Sequence, residues 1–172
     1  MSQTPFEKVQ AFHQKFDAPG SQIPQAFQAE QMLNRAGFKI EEIVELLYAT
    51  ANNQPEVFES LVDGLHQKID EAVQKIQTKH QPVEDVLVGQ VDALIDLLYF
   101  TYGSFVLMGV NPEPLFAIVH DANMGKMFPD GQPHYDEKTH KILKPSGWEE
   151  QYAPEPRIKA ELNRQRMQKE EE

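Results

Sequence analysis

Five carboxylates are the part of this sequence best suited to chemistry. Glu41, Glu42 and Glu45 crowd into "KIEEIVELLYA", Lys39 to Ala49, and Asp92 and Asp96 interrupt the apolar run "VLVGQVDALIDLLYFTYGSFVLMGV", Val86 to Val110. On helices, about 100° of rotation per residue confines the three glutamates to one wedge, away from Ile40, Ile43, Val44, Leu47 and Tyr48. Asp92 and Asp96, at i and i+4, project side by side, while Val91, Leu94, Ile95, Leu97 and Leu98 cover nearly every other direction. A helix apolar all round is expected to be buried, so the two aspartates are expected to look into a bundle.

Little in the chain can neutralise such a set. From Ile40 to Gly125 the only Lys or Arg residues are Lys68, Lys75 and Lys79, with Arg35, Lys39 and Lys126 just outside. Unpaired buried charge is costly and like charges repel, so a divalent cation is the expected partner. An all-oxygen donor set favours Mg²⁺, Mn²⁺ or Ca²⁺ over zinc. The plainer alternative makes the three glutamates the solvated face of an ordinary helix. Asp92 and Asp96 weigh against it, because their helix offers water almost no polar face.

The elements that must position these residues are helical. Thr4 to Phe16 reads as a helix closed by Ala18-Pro19-Gly20, and "QAFQAEQMLNRA" after Pro24 as a second, broken or kinked at Gly37. The glutamate helix follows from Phe38 to about Ala51, and "NNQP" is a turn. From Pro55 to Lys79, Val57, Leu61, Leu65, Ile69, Val73 and Ile76 recur at spacings of three or four, the amphipathic signature. Pro82 is expected to open the long apolar helix and Gly109 to end it. A short helix, Pro114 to Met124, stops at Gly125. Beyond it the texture is turns, with a short β-hairpin at most around Asp136 to Thr139. The fold class expected is all-α: a bundle of four or more helices with a C-terminal loop region. Residues 1–152 form one domain in this reading, and 153–172 a charged helical tail whose end, "KEEE", is expected to be frayed or solvated.

At 172 residues the chain can bury about 70% of its unfolded surface in one domain. It has no cysteine, hence neither disulfides nor thiolate metal sites, and its formal charge of −11 argues against nucleic acid as a partner. Nothing reads as a secretory signal, so a cytoplasmic setting is expected. Val86 to Val110 is long enough for a bilayer, yet each mid-membrane Asp costs about 2.5–3.5 kcal/mol, and no membrane span is expected.

Three segments in order, "RAGFKIEEIVELLYA", "DALIDLLYFTYG" and "VHDANMGK", resemble the all-α nucleotide pyrophosphohydrolases. That superfamily includes MazG-like proteins, phosphoribosyl-ATP pyrophosphohydrolase and the dimeric dUTPases. The likeness is greatest to the MazG-like, phosphoribosyl-ATP pyrophosphohydrolase-like branch and spans Gln25 to Trp148. It implies a homodimer or dimer of dimers that holds Mg²⁺, with Mn²⁺ as a substitute. It also implies hydrolysis of a (deoxy)nucleoside triphosphate between the α and β phosphates, giving a monophosphate and pyrophosphate.

Carried over residue by residue, the resemblance makes Glu42 and Glu45 metal ligands on a Glu-x-x-Glu helix and Asp96 the aspartate of the facing acidic helix. Glu41 matches a glutamate that helps orient the attacking water, and Asn123 and Lys126 match a phosphate-binding Asn-x-x-Lys element. The chain departs from the pattern at Ala93, where the second motif ordinarily has Glu; Asp92 is the substitute ligand. The span from Glu45 to Asp92 is also longer than in compact members.

Other residues are less specific. Lys126 near a helix C-terminus would suit the helix dipole as well as a phosphate. Tyr102 and Lys144 are candidate substrate-binding residues, and "KPSGW", Lys144 to Trp148, could fold over the nucleotide with Lys144 on phosphate and Trp148 near the base, whereas Tyr99 and Trp148 read more simply as core or loop anchors. His120 and Asp121 point about 100° apart on a helix, so their adjacency does not make an acid–base pair. A di-iron bundle would need Glu-x-x-His on two helices, and the nearest pattern is a single Asp63-x-x-His66. A non-catalytic metal- or nucleotide-binding interaction module is the alternative to an enzyme.

Overall fold

A computed structural model describes residues 3–17 and 20–170. Seven helices are defined among them: α1 Pro5–Phe16, α2 Ala29–Ala51, α3 Pro55–Lys79, α4 Val86–Met108, α5 Pro112–Met124, α6 Trp148–Tyr152 and α7 Pro154–Glu170. The fold is all-α. The expected hairpin is reduced to one antiparallel bridge between Tyr135 and Ile142 around the turn at 136–139. Asp136 organises that turn, its carboxylate accepting from the Lys138 and Thr139 backbone N–H groups. Ala18 and Pro19, expected to close α1, lie outside the described residues.

The chain divides into two compact units, Met1–Ile23 with Ile95–Glu172, and Pro24–Leu94; the boundary falls inside α4.

In the Pro24–Leu94 unit, α2 and α3 form a helical hairpin. Asn52 and Asn53 make its turn with φ of 48° and 63°. Asn tolerates this left-handed region better than most residues. Tyr48 meets Phe58 edge-on with centroids 5.3 Å apart, and Ala51 is buried beneath the turn. The predicted bounds of α3 hold, whereas those of α2 do not. One helix runs unbroken through Gly37, where the expected break is absent, because a helical glycine costs only about 1 kcal/mol and 23 residues of helix absorb it. The helix also starts at Ala29 rather than just after Pro24. Phe27 is held extended instead: its backbone N–H donates to Gln90 Oε1 (2.8 Å) and its carbonyl accepts from Gln90 Nε2 (3.0 Å). Helix α4 likewise starts later than Pro82, at Val86, where the Asp85 carboxylate accepts from the Val88 N–H at 3.0 Å.

In the other unit, α5 is the central element, with α1 and α7 packed on it. Thr4 and Glu7 close a capping box at the start of α1. At its far end Phe12 stacks on Phe16, which is fully buried. Leu115 and Ala122, two helical turns apart on α5, are buried as well. The charged tail is a docked helix: Gln165 of α7 is buried, its Oε1 accepting from the Asn111 N–H (2.9 Å) and its Nε2 donating to the Asn111 carbonyl (3.0 Å). Lys169 Nζ reaches the Gly109 carbonyl at 2.8 Å. Polar bonds hold this helix, which is why its hydrophobic pattern gave no sign of it.

Helix α4 overturns one expectation. None of its residues is buried, and Leu107 is 90% exposed. Apolarity dictates that such a surface be covered, not that its own chain covers it.

Candidate functional site

The Pro24–Leu94 unit carries Glu41, Glu42 and Glu45 on α2 and Asp92 on the first turns of α4. All four are exposed. Helical spacing sets Glu42 and Glu45 on one face of α2, as i and i+3. Three of the cations that could have neutralised them, Lys39, Arg35 and Lys68, are engaged elsewhere. Lys39 turns back along α2 to donate to the Arg35 carbonyl at 3.1 Å. Burial, and then the Arg35 charge, lower its pKa. The Arg35 guanidinium lies 5.2 Å from the Phe38 ring centroid, and Lys68 pairs with Glu71 at 2.7 Å.

The other unit carries Asp96 and Tyr102 on α4, Asn123 and Lys126 at the end of α5, and Lys144 before α6. Asp96 follows Asp92 by one helical turn and is exposed, where burial was expected. Tyr102 is exposed too. Among the described residues, no three His, Cys, Asp or Glu side chains gather closely enough to hold a metal ion. The carboxylates are nevertheless hard oxygen donors of the type Mg²⁺ and Mn²⁺ take. Glu42, Glu45, Asp92 and Asp96 spend none of that capacity on a hydrogen bond or ion pair with a described residue.

Asn123 and Lys126 do come together. Lys126 Nζ donates to Asn123 Oδ1 at 2.8 Å, both side chains being half-buried. With its oxygen on the ammonium, the Asn123 amide keeps its NH₂ as donor, so one turn presents a cation beside a neutral donor pair. An oxyanion suits such a corner.

This corner is braced from the segment that follows. The Trp148 ring is buried, and its indole N–H donates to the Ala122 carbonyl at 2.9 Å. Lys144 places its ammonium 3.9 Å from the Trp148 ring centroid and pairs with Glu149 at 2.7 Å. The tyrosine at 152 lies so close to Gly125 that a Cβ there would fall inside 3.0 Å of three of its ring carbons. Glycine is therefore required by close approach, not by its φ.

Asp121 is held by Arg157 of α7 at 2.9 Å, a structural pairing. Burial lowers the His120 pKa against the pull of Asp121, with Lys8 adding to the depression. The ion pair of Asp121 is thus with Arg157 and not with His120. Sequence reasoning did not foresee the bonds of Gln90 and Gln165, because a hydrogen-bonding glutamine leaves no periodic signal.

The description phosphoribosyl-ATP pyrophosphohydrolase belongs to the family model that matches residues 9–123. The matched segment takes in Glu41, Glu42, Glu45, Asp92, Asp96 and Asn123. No curated protein matches the chain. Among solved structures, the chain is similar to a candidate NTP pyrophosphohydrolase from Exiguobacterium sp. 255-15, determined at 1.78 Å resolution. The two are 41% identical with a TM-score of 0.86, over 98% of this chain and 99% of the other.

Proposed function

The chain belongs to the phosphoribosyl-ATP pyrophosphohydrolase family and is a nucleotide pyrophosphohydrolase, and from that premise we propose that it hydrolyses a nucleoside triphosphate between the α and β phosphates in a Mg²⁺-dependent reaction, releasing a monophosphate and pyrophosphate. The observation that supports the reading is the Asn123–Lys126 pair at 2.8 Å, which sets an ammonium beside an amide donor, an arrangement suited to an oxyanion.

Glu42, Glu45, Asp92 and Asp96 would hold the metal, and Mn²⁺ can replace Mg²⁺ on such ligands. The ion, when bound, offsets phosphate charge and acidifies a water. Glu41 serves as hydrogen-bond acceptor for the attacking water and holds its lone pair towards phosphorus. Lys126 places a compact positive charge on the phosphate oxygens, and the Asn123 NH₂ donates to them. No side chain acts as a covalent nucleophile, so a single in-line displacement by water is sufficient.

The same reading has the enzyme work in the cytoplasm as a homodimer or dimer of dimers. Its support is α4, which is long and apolar enough to cross a membrane by length and composition, and whose exposed stripe includes Tyr99, Val106 and Leu107. Asp92 and Asp96 make that helix costly to place in lipid, so a second copy is the better cover. Sedimentation equilibrium tests this: a monomer at micromolar concentration would contradict it.

The reaction is tested by pyrophosphate release from a panel of ribo- and deoxynucleoside triphosphates, with and without Mg²⁺, beside Asp96→Asn and Lys126→Ala. Metal-dependent release that falls in both variants is expected. Mg²⁺ binding without turnover of any nucleotide would favour the non-catalytic module.

A further inference from the structure

The Asn123–Lys126 corner borders a cavity whose lining has a different chemistry. Its volume is about 300 Å³, between the turn after α5 and the segment leading into α6. Its lining is mixed: Met124, Met127, Pro129 and Pro145 supply apolar surface, polar surface is at least as extensive, and Tyr152 and the nearly buried Trp148 complete the wall. Lys126 follows one lining residue, Gly125, and precedes another, Met127, so the turn that carries it forms part of the cavity wall.

Two polar side chains in the lining have hydrogen-bonding capacity to spare. Ser146 contributes a hydroxyl and Gln151 an amide, and neither side chain is bonded to a described residue. The amide can donate and accept at once, as can the hydroxyl. Their supports are rigid: Trp148 is pinned to the Ala122 carbonyl, its ring carries the Lys144 ammonium, and Gly147 turns the chain at φ +77°. About 300 Å³ is the lower end of the usual range of about 300–1,000 Å³ for small-molecule sites, room for a planar heterocycle but not for a whole nucleotide. Apolar and polar surface side by side, with paired donor–acceptor groups, are the means by which a heterocyclic edge is read.

We propose that this cavity is the base-selecting site of the enzyme: the nucleobase enters it while the phosphates remain at Asn123 and Lys126, and Gln151 and Ser146 read the base edge. The proposal rests on the phosphate-binding reading of those two residues. Lys144 is a positioning residue in this account, holding the indole in place rather than touching phosphate.

Trp148 is the sole tryptophan of the chain, so its fluorescence reports on the cavity without labelling. The experiment titrates α,β-methylene analogues of ATP, GTP, CTP and UTP, which cannot be cleaved at that position, and follows Trp148 emission. In parallel, pyrophosphate release from the natural triphosphates is measured for the parent chain and for Gln151→Ala and Ser146→Ala. Both side chains are exposed, so truncation spares the fold.

The expected result is an emission change that saturates with the preferred analogue. Gln151→Ala is expected to compress the kcat/KM ratio between the best and second-best base by at least about fivefold, the effect of one lost hydrogen bond, mainly through KM. Pyrophosphate release with no change in Trp148 emission overturns the cavity and leaves the reaction standing. An emission change without release keeps the cavity and removes the reaction. An unaltered base ranking in both variants overturns the reading of the base edge, and silence in every channel overturns both.

Discussion

Gln165→Met is the substitution whose consequence the structure fixes most closely. Methionine fills nearly the volume of glutamine, so no large cavity opens, and what disappears is the amide. Three bonds go with it: from the Asn111 N–H to Oε1 at 2.9 Å, from Nε2 to the Asn111 carbonyl at 3.0 Å, and from Nε2 to Glu161 Oε1 at 2.9 Å. Each is worth about 0.5–1.5 kcal/mol net, and the Asn111 N–H and carbonyl would be left partly buried without their partner. Glu161 keeps its bonds to Arg164, so its share is small. The expected loss is about 2–3 kcal/mol. Urea unfolding followed by Trp148 emission is the suitable assay, because Trp148 and Gln165 belong to the same compact unit. A lower midpoint at unchanged m-value is expected, with faster amide exchange at Asn111. A variant within about 0.5 kcal/mol of the parent, its Asn111 amide still protected, would refute the idea that α7 is clasped by this glutamine.

Further outcomes follow from the same geometry. Gly125→Ala forces a Cβ against the Tyr152 ring and is expected to cost about 1–3 kcal/mol, read as a lower melting temperature; an unchanged melt would contradict the close approach. Bonds from Arg164 and then Gln165 lower the Glu161 pKa to about 2, so its stabilisation is complete above the ordinary value of 4.5 and fades as pH falls towards about 2. Glu161→Gln should flatten stability against pH across that window, and an identical acid limb in both proteins would count against the pairing. Gln90→Ala releases the Phe27 backbone and is expected to speed exchange of the Phe27 amide by about fivefold or more; unchanged exchange would mean that the extended segment is held by something else.

Different parts of the molecule were legible to different degrees, for physical reasons. α3 could be read to the residue, because Pro55 and a regular apolar stripe are local signals. α2 could not, because Gly37 and Pro24 look like punctuation while Phe27, just ahead of its start, is held by Gln90, 63 residues away. Asn123 and Lys126 were singled out together by the family resemblance, and their i, i+3 spacing is what lets the two side chains meet. The burial of Asp92 and Asp96 was inferred from the apolarity of α4, and that inference fails within a single chain. Hydrophobicity records that a surface must be covered, and the covering partner is not written beside it. Gln165, Ser146 and Gln151 act through directed hydrogen bonds or unspent polar groups, which no period of three or four reveals.

The most direct test of the central claim is the identity of the products. Phosphorus NMR of the preferred triphosphate turned over with Mg²⁺ should show monophosphate and pyrophosphate, with no orthophosphate as a primary product. Removing Mg²⁺ should stop the reaction, and Glu45→Gln should slow it by roughly a hundredfold or more, about 3 kcal/mol of transition-state stabilisation. Diphosphate and orthophosphate as products, or full turnover without a divalent cation, would contradict it.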